Sequence, residues 1–241
     1  MAIAVDQANI GTATSDVAAA SIVLTTTAVV AANGFIVLSM GRFGSNLPVT
    51  TITGGGLIWN LEQDAVSFGG GTALSLIWAQ APAGLASSTA ITMNFSASDP
   101  SAFALGAMSL TGVKTATPVE LSGVMGTPPT QDVNPWGSGS RSISAGSVLI
   151  ASNYTANLSG GNAPTAPSLE AWEATDVVDT YGAAMVYRIE ASAGSYAAGG
   201  TWTGTGGGAT VYGAFLAAPD AGTVDTTTRR YQIRRSRMTS W

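Results

Sequence analysis

Cysteine and histidine are both missing from this chain of 241 residues. Without them there is no disulfide, no Cys/His zinc site and no histidine general base. Charge is scarce as well, with only 10% Asp, Glu, Lys and Arg against roughly 25% in an ordinary globular protein. Mean hydropathy is nonetheless positive, at +0.29, and low charge accompanies disorder only where apolar content is low too. A folded protein is expected, with a surface made of Ser, Thr, Asn, Gln, Gly and Ala. A lone chain with so little charge lacks the usual margin of solubility, so assembly with copies of itself or with other proteins is expected.

Long helical patterns are also missing. The Ala-rich stretches are broken by Thr, Val and Gly and lack the Glu/Lys pairs of surface helices. Val17–Met40 contains no charge and has the length of a membrane span. Thr25-Thr26-Thr27 and Asn33-Gly34 divide it, which predicts strand, turn and strand with no membrane insertion. The start, Met1–Asp6, has no basic segment of the kind that opens a signal peptide.

What is present is two-residue alternation. Leu74, Leu76 and Trp78 alternate with Ser75 and Ile77, and Ile91, Met93 and Phe95 alternate with Thr92, Asn94 and Ser96. Period two places one set of side chains on one face of a sheet. Phe103–Leu110 is apolar on both faces. We read Leu74, Leu76, Trp78, Ile91, Met93 and Phe95 as one buried layer. Ser21–Val30 and Phe35–Met40 read as a hairpin turning at Ala31–Gly34, and Ser147–Ser152, Ala183–Ile189, Gly199–Thr203 and Ala209–Ala217 supply further strands. Leu169–Val178 is ambiguous between a helical turn and a strand. The last two strands echo Ile91–Phe95 followed by Phe103–Leu110, either as a distant internal repeat or as the common grammar of antiparallel sheets. The triple glycines Gly54-Gly55-Gly56 and Gly69-Gly70-Gly71 lack a GKS/T ending and a following helix, so they are turns or bulges and not phosphate loops.

The predicted fold is all-β, an antiparallel two-sheet β-sandwich of jelly-roll type. Residues 1–20 form an N-terminal arm or edge strand, 21–225 a single sandwich domain with a long loop near 114–141, and 226–241 a basic tail.

Motifs for chemistry are weak. Glu62/Asp64, Glu170/Glu173 and Asp176/Asp179 are the closest acidic sets, and glycoside hydrolysis needs two carboxylates across a sugar. Linear spacing does not place them so, and solvated loop acids are the simpler reading. No EF-hand run occurs; Asp132 with Asn134, or the Asp176/Asp179 region, are candidates to contribute to a calcium site. No cofactor is expected. Trp136 and Trp172 are the candidate glycan contacts; Trp136 alternatively anchors its loop to the core. Residues 1–228 hold four basic and fourteen acidic groups, a net charge of −10, whereas 229–241 hold five arginines and no acid. Arg229, Arg230, Arg234, Arg235 and Arg237, with Tyr231 and Trp241, suit docking to an acidic protein surface by bidentate ion pairs and aromatic anchors. A terminal strand and a phosphate-binding tail are the alternatives; the acidic remainder disfavours nucleic acid.

Ile52, Leu57 and Trp59, then Ser75–Ala79, Pro82-Ala83-Gly84, Thr89–Ser96 and Gly112-Val113 together resemble the jelly-roll structural proteins of tailed bacteriophages and gene-transfer particles. The resemblance covers residues 20–113. It implies a non-enzymatic virion component: a head decoration or spike, or a part of the tail or fibre. Its partners would be other virion proteins, copies of itself and a cell-surface glycan. It implies a chain made in the host cytoplasm and carried on the extracellular particle. The basic tail has no counterpart in that pattern. A carbohydrate-binding adhesion module and a polysaccharide-degrading enzyme are the other functions this fold would serve.

Overall fold

The computed structural model describes residues 2–15, 17–43, 48–68, 72–96, 102–125, 135–156, 158–175, 181–204 and 208–219. The protein is all-β, its antiparallel sheets packed as sandwiches. The first eight strands are β1 (Ala4–Ser15), β2 (Ser21–Thr25), β3 (Gly34–Phe43), β4 (Val49–Gly54), β5 (Trp59–Phe68), β6 (Thr72–Ala81), β7 (Ala90–Phe95) and β8 (Ala102–Thr111). They form a five-stranded sheet in the order β1-β8-β3-β6-β5 and a three-stranded sheet in the order β2-β7-β4. The next ten are β9 (Val119–Met125), β10 (Trp136–Gly137), β11 (Arg141–Ile143), β12 (Val148–Ala156), β13 (Leu158–Pro164), β14 (Leu169–Thr175), β15 (Tyr181–Ile189), β16 (Gly194–Tyr196), β17 (Gly199–Gly204) and β18 (Gly208–Phe215). They form the sheets β14-β15-β12-β18-β9 and β10-β17-β13, with β11 and β16 as a short ribbon.

Two sheets therefore give way to four stacked layers. The large sheets face each other over a middle core that includes Phe35, Leu74, Leu76, Met108, Val148, Ile150, Trp172, Met185 and Phe215. Each small sheet covers the far side of its own large sheet. Ile36, Leu38, Ile77, Ile91, Met93 and Leu105 lie in one outer core, and Trp136, Leu149, Val186, Trp202 and Tyr212 in the other. This layering explains why β3, β8 and β18 are apolar on both faces: each belongs to a sheet buried on both sides. Burying each Leu, Ile or Phe contributes roughly 1.5–3 kcal/mol, so the two-sided strands carry a large share of the stability.

Several expectations are corrected here. Leu74 and Leu76 lie in the middle core, with Trp78 packed against it, whereas Ile91, Met93 and Phe95 lie in the outer one. The face of β6 that meets β7 carries Ile77 instead, because successive side chains point to opposite faces. β2 and β3 are not a hairpin; β2 pairs with β7, and β3 with β6 and β8. Leu169–Thr175 is strand and not helix. Within 114–141, Val119–Met125 is also strand, at a sheet edge beside β18; its residues are all half-buried, which blurs the alternation.

The two halves have one topology. Matching β1–β8 in turn to β9, β10, β12, β13, β14, β15, β17 and β18 reproduces both strand orders. The match extends to irregularities. Against β8, β1 has a bulge between Val5 and Gln7; against β18, β9 has one between Val119 and Leu121. Against β6, β5 is bulged between Leu61 and Gln63, as β14 is between Glu170 and Trp172 against β15. Asn33 and Gly146, equivalent residues just before β3 and β12, both have positive φ, at 60° and 77°.

The large sheets face each other in reversed strand order. β1 lies over β14 and β5 over β9; β8 over β15 and β6 over β18; β3 and β12 meet at the centre. Such reciprocal contacts are those of an isologous, two-fold interface. Reversed order with matching strand ends puts the pseudo-two-fold axis along the strands, between β3 and β12. Close approach of the sheets requires small residues: a Cβ on Gly106 of β8 would come within 2.5 Å of the Trp172 ring, and one on Gly41 would collide with Tyr154.

Candidate functional site

The arginine-rich tail, with Arg229, Arg230, Tyr231, Arg234, Arg235, Arg237 and Trp241, lies outside the described residues, as do Asp132, Asn134, Asp176 and Asp179. Trp136 and Trp172 are interior, at 4% and 2% exposure, and offer no open ring face for a sugar. Trp136 instead anchors the outer core of the second half.

The acidic sets resolve into separate structural bonds. Asp64 on β5 accepts at Oδ1 from Arg42 (2.7 Å) and from Ser75 Oγ (2.6 Å), and at Oδ2 from the Val49 amide (3.1 Å). Arg42 is itself fully buried, and its charge is held by this pairing. Glu62, the extra residue of the β5 bulge, accepts from Ser122 Oγ (2.6 Å) at Oε1 and from Trp78 Nε1 (3.1 Å) at Oε2. It thus ties β5 to β9 across the seam between the halves. Asp6 and Glu120, the extra residues of the equivalent bulges in β1 and β9, do the same work in each half. Asp6 Oδ2 accepts from the Ala31 amide (3.2 Å), and Glu120 Oε1 from the Ser144 amide (2.9 Å). Each carboxylate holds the turn that leads into a central strand. Glu170 accepts from Asn162 Nδ2. No three Asp or Glu residues among those described converge on one point as a metal cluster would. Asp6, Glu62, Asp64 and Glu120 are thus occupied in holding strands and turns.

The concave features lie elsewhere, and the pseudo-two-fold relates two of them. One cleft of about 370 Å³ is lined by Gly56, Leu57, Ile58, Asn60, Trp78, Gln80, Pro82 and Thr115. The other, of about 420 Å³, is lined by Ile3, Ala4, Val5, Pro167, Leu169, Tyr187, Arg188, Ile189 and Glu190. In both, the start of strand 5 and the end of strand 6 of one half meet the approach to strand 1 of the other. The registers equate Trp78 with Tyr187 and Asn60 with Leu169; two residues further along the strands, Gln80 matches Ile189. The clefts therefore open at the same end of the molecule. Three of the exposed large apolar residues sit in them: Ile58 at 83%, Leu169 at 58% and Ile189 at 38% exposure.

The sequence reading missed both clefts. Trp78 reads as one more apolar member of an alternating strand, and nothing in that pattern marks it as the last inward residue, where the core opens to solvent. A third cleft, beside Trp136, is lined by Ser168, Arg188 and a run of small residues and backbone. No family model, no curated protein and no solved structure matches the chain.

Proposed function

We propose that this chain is a non-enzymatic structural component of a phage-like particle, wound as two jelly rolls in tandem. The observation that carries the reading is the strand order. An eight-stranded jelly roll pairs strands 1-8-3-6 in one sheet and 2-7-4-5 in the other. Both halves have 1-8-3-6 and 2-7-4, with strand 5 added beside strand 6. The resemblance of residues 20–113 to jelly-roll virion proteins adds the functional class.

Such a component works by adhesion. A chain with only 10% charged residues can be covered by neighbours with little desolvation of ions, and repeated contacts between identical copies add avidity. Its partners are further copies of the chain and other virion proteins, with the basic 229–241 segment docking on an acidic neighbour. The chain is then made in the host cytoplasm and carried on the particle.

The test is to isolate particles from cells that make the chain, and to measure its copy number by quantitative mass spectrometry. A fixed stoichiometry in multiples of a particle symmetry is expected; absence from particles overturns the reading. Removing residues 229–241 is expected to lower incorporation, and unchanged incorporation removes the docking role of the tail.

A further inference from the structure

We propose that the Trp78 cleft is a binding site for a neutral saccharide, a role that goes beyond the structural function above and does not depend on it. The Trp78 ring is fixed on two sides. Phe35 stacks on it with centroids 5.3 Å apart, and its Nε1 donates to Glu62 Oε2. A ring held this way loses no rotamer freedom when a ligand packs on its remaining surface. Around it stand Asn60, Gln80 and Thr115, two amides and a hydroxyl, and the apolar Leu57 and Ile58. Gln80 donates its Nε2 to the Thr115 carbonyl (2.7 Å), which orients the amide and keeps Oε1 as an acceptor. Among the described residues, no charged side chain lines this cleft.

This combination selects the ligand class. A purely apolar ligand would cover the amides and leave them without partners, which is costly. An ion would find no countercharge. A neutral sugar ring has an apolar C–H face for the indole and Ile58, and hydroxyls at its edge for Asn60 and Gln80. The volume is on the scale of small-ligand sites.

The second half provides a control made by the fold itself. There Tyr187, Leu169 and Ile189 stand where Trp78, Asn60 and Gln80 stand in the first. The same backbone accepts Leu and Ile at the two amide positions, so the changes Asn60→Leu and Gln80→Ile are compatible with the fold.

The experiment uses the full chain on an array of neutral oligosaccharides built from glucose, galactose, mannose and N-acetylglucosamine, with affinities then measured by titration calorimetry. The wild-type chain is expected to bind at least one series. Trp78→Ala is expected to abolish binding, and Asn60→Leu and Gln80→Ile each to weaken it by roughly tenfold through the lost hydrogen bond. Leu169→Ala, in the other cleft, is expected to leave affinity unchanged. Circular dichroism and thermal melts confirm that each variant is folded. The proposal is overturned if the wild-type chain binds no neutral glycan, or if Asn60→Leu and Gln80→Ile both bind as wild type. It is overturned equally if no glycan binds and Trp78→Ala instead changes the oligomeric mass, which would assign the cleft to a second copy of the chain.

Discussion

Ser39 Oγ and Ser152 Oγ stand 2.5 Å apart in the buried middle layer, one from each of the two equivalent central strands and at the same register position in both. The pseudo-two-fold axis passes between them. Two identical hydroxyls facing each other can share only one proton along the line between them, so the pair is chemically asymmetric even though the fold around it is symmetric.

Ser152 Oγ also lies 2.8 Å from the Ala184 carbonyl, which accepts its proton, so the hydrogen between the serines comes from Ser39. Ser152→Ala strands the Ser39 hydroxyl in the core and is expected to cost about 1–3 kcal/mol, whereas Ser39→Ala removes only a donor and should cost about 1 kcal/mol. The double variant is expected to lose less than the sum of the two, as contacting residues do. Urea unfolding midpoints check this; Ser39→Ala as the more damaging change would reverse the proton assignment.

Arg42 and Asp64 form a largely buried ion pair in the first half. Asp64→Asn leaves a fully buried guanidinium without its countercharge and is expected to cost roughly 3–5 kcal/mol. Replacing both, as Arg42→Met with Asp64→Leu, is expected to recover most of that loss, since a buried pair often exchanges for apolar residues at little net change. Chemical denaturation of the two variants distinguishes them. A double variant as unstable as Asp64→Asn would show that Ser75 and the Val49 amide, which share Asp64, dominate the site.

Asp6 and Glu120 offer a direct test of the duplication. Asp6→Ala should speed amide hydrogen exchange at Ala31, and Glu120→Ala at Ser144, each in the turn its carboxylate holds and not in the turn of the other half. The expected acceleration is on the order of three- to tenfold, that of one hydrogen bond of about 1 kcal/mol. Exchange that rises in both turns with either variant would mean the halves open as one unit.

The middle core makes the two halves dependent on each other. Divided between β8 and β9, after Ala116, each fragment exposes one whole face of a five-stranded sheet, including Phe35 and Leu76 in the first and Ile150 and Met185 in the second. Each fragment alone is expected to aggregate or self-associate, while the two expressed together should copurify through a tag on one. Two fragments that remain monomeric and soluble apart would contradict the closed middle layer. The intact chain should then melt in a single cooperative transition.

Much of this was legible in the chain itself. Alternation located β6, β7 and β18, the strand character of Ser147–Ser152 located β12, and the two-sided apolar run of Phe103–Leu110 marked a strand covered on both faces. The echo between Ile91–Leu110 and Gly199–Ala217 corresponds to β7-β8 and β17-β18, equivalent pairs in the two halves. What stayed hidden was where each face points. A period of two says that Leu76 and Ile77 face opposite ways, but not that one meets Gly213 of β18 across the middle core and the other lies with Ile91 in an outer one.

Local sequence thus determined that the chain is β, low in charge and rich in strands, because side-chain alternation is a property of neighbouring residues. Tertiary structure alone decided the partners. Ser39 meets Ser152 across 113 positions, Arg42 meets Asp64 across 22, and the Trp78 cleft closes only when the approach to β9 crosses the end of β6. Those meetings depend on which strands pair and in which register, and a two-residue repeat is the same for every pairing that keeps its apolar face inward.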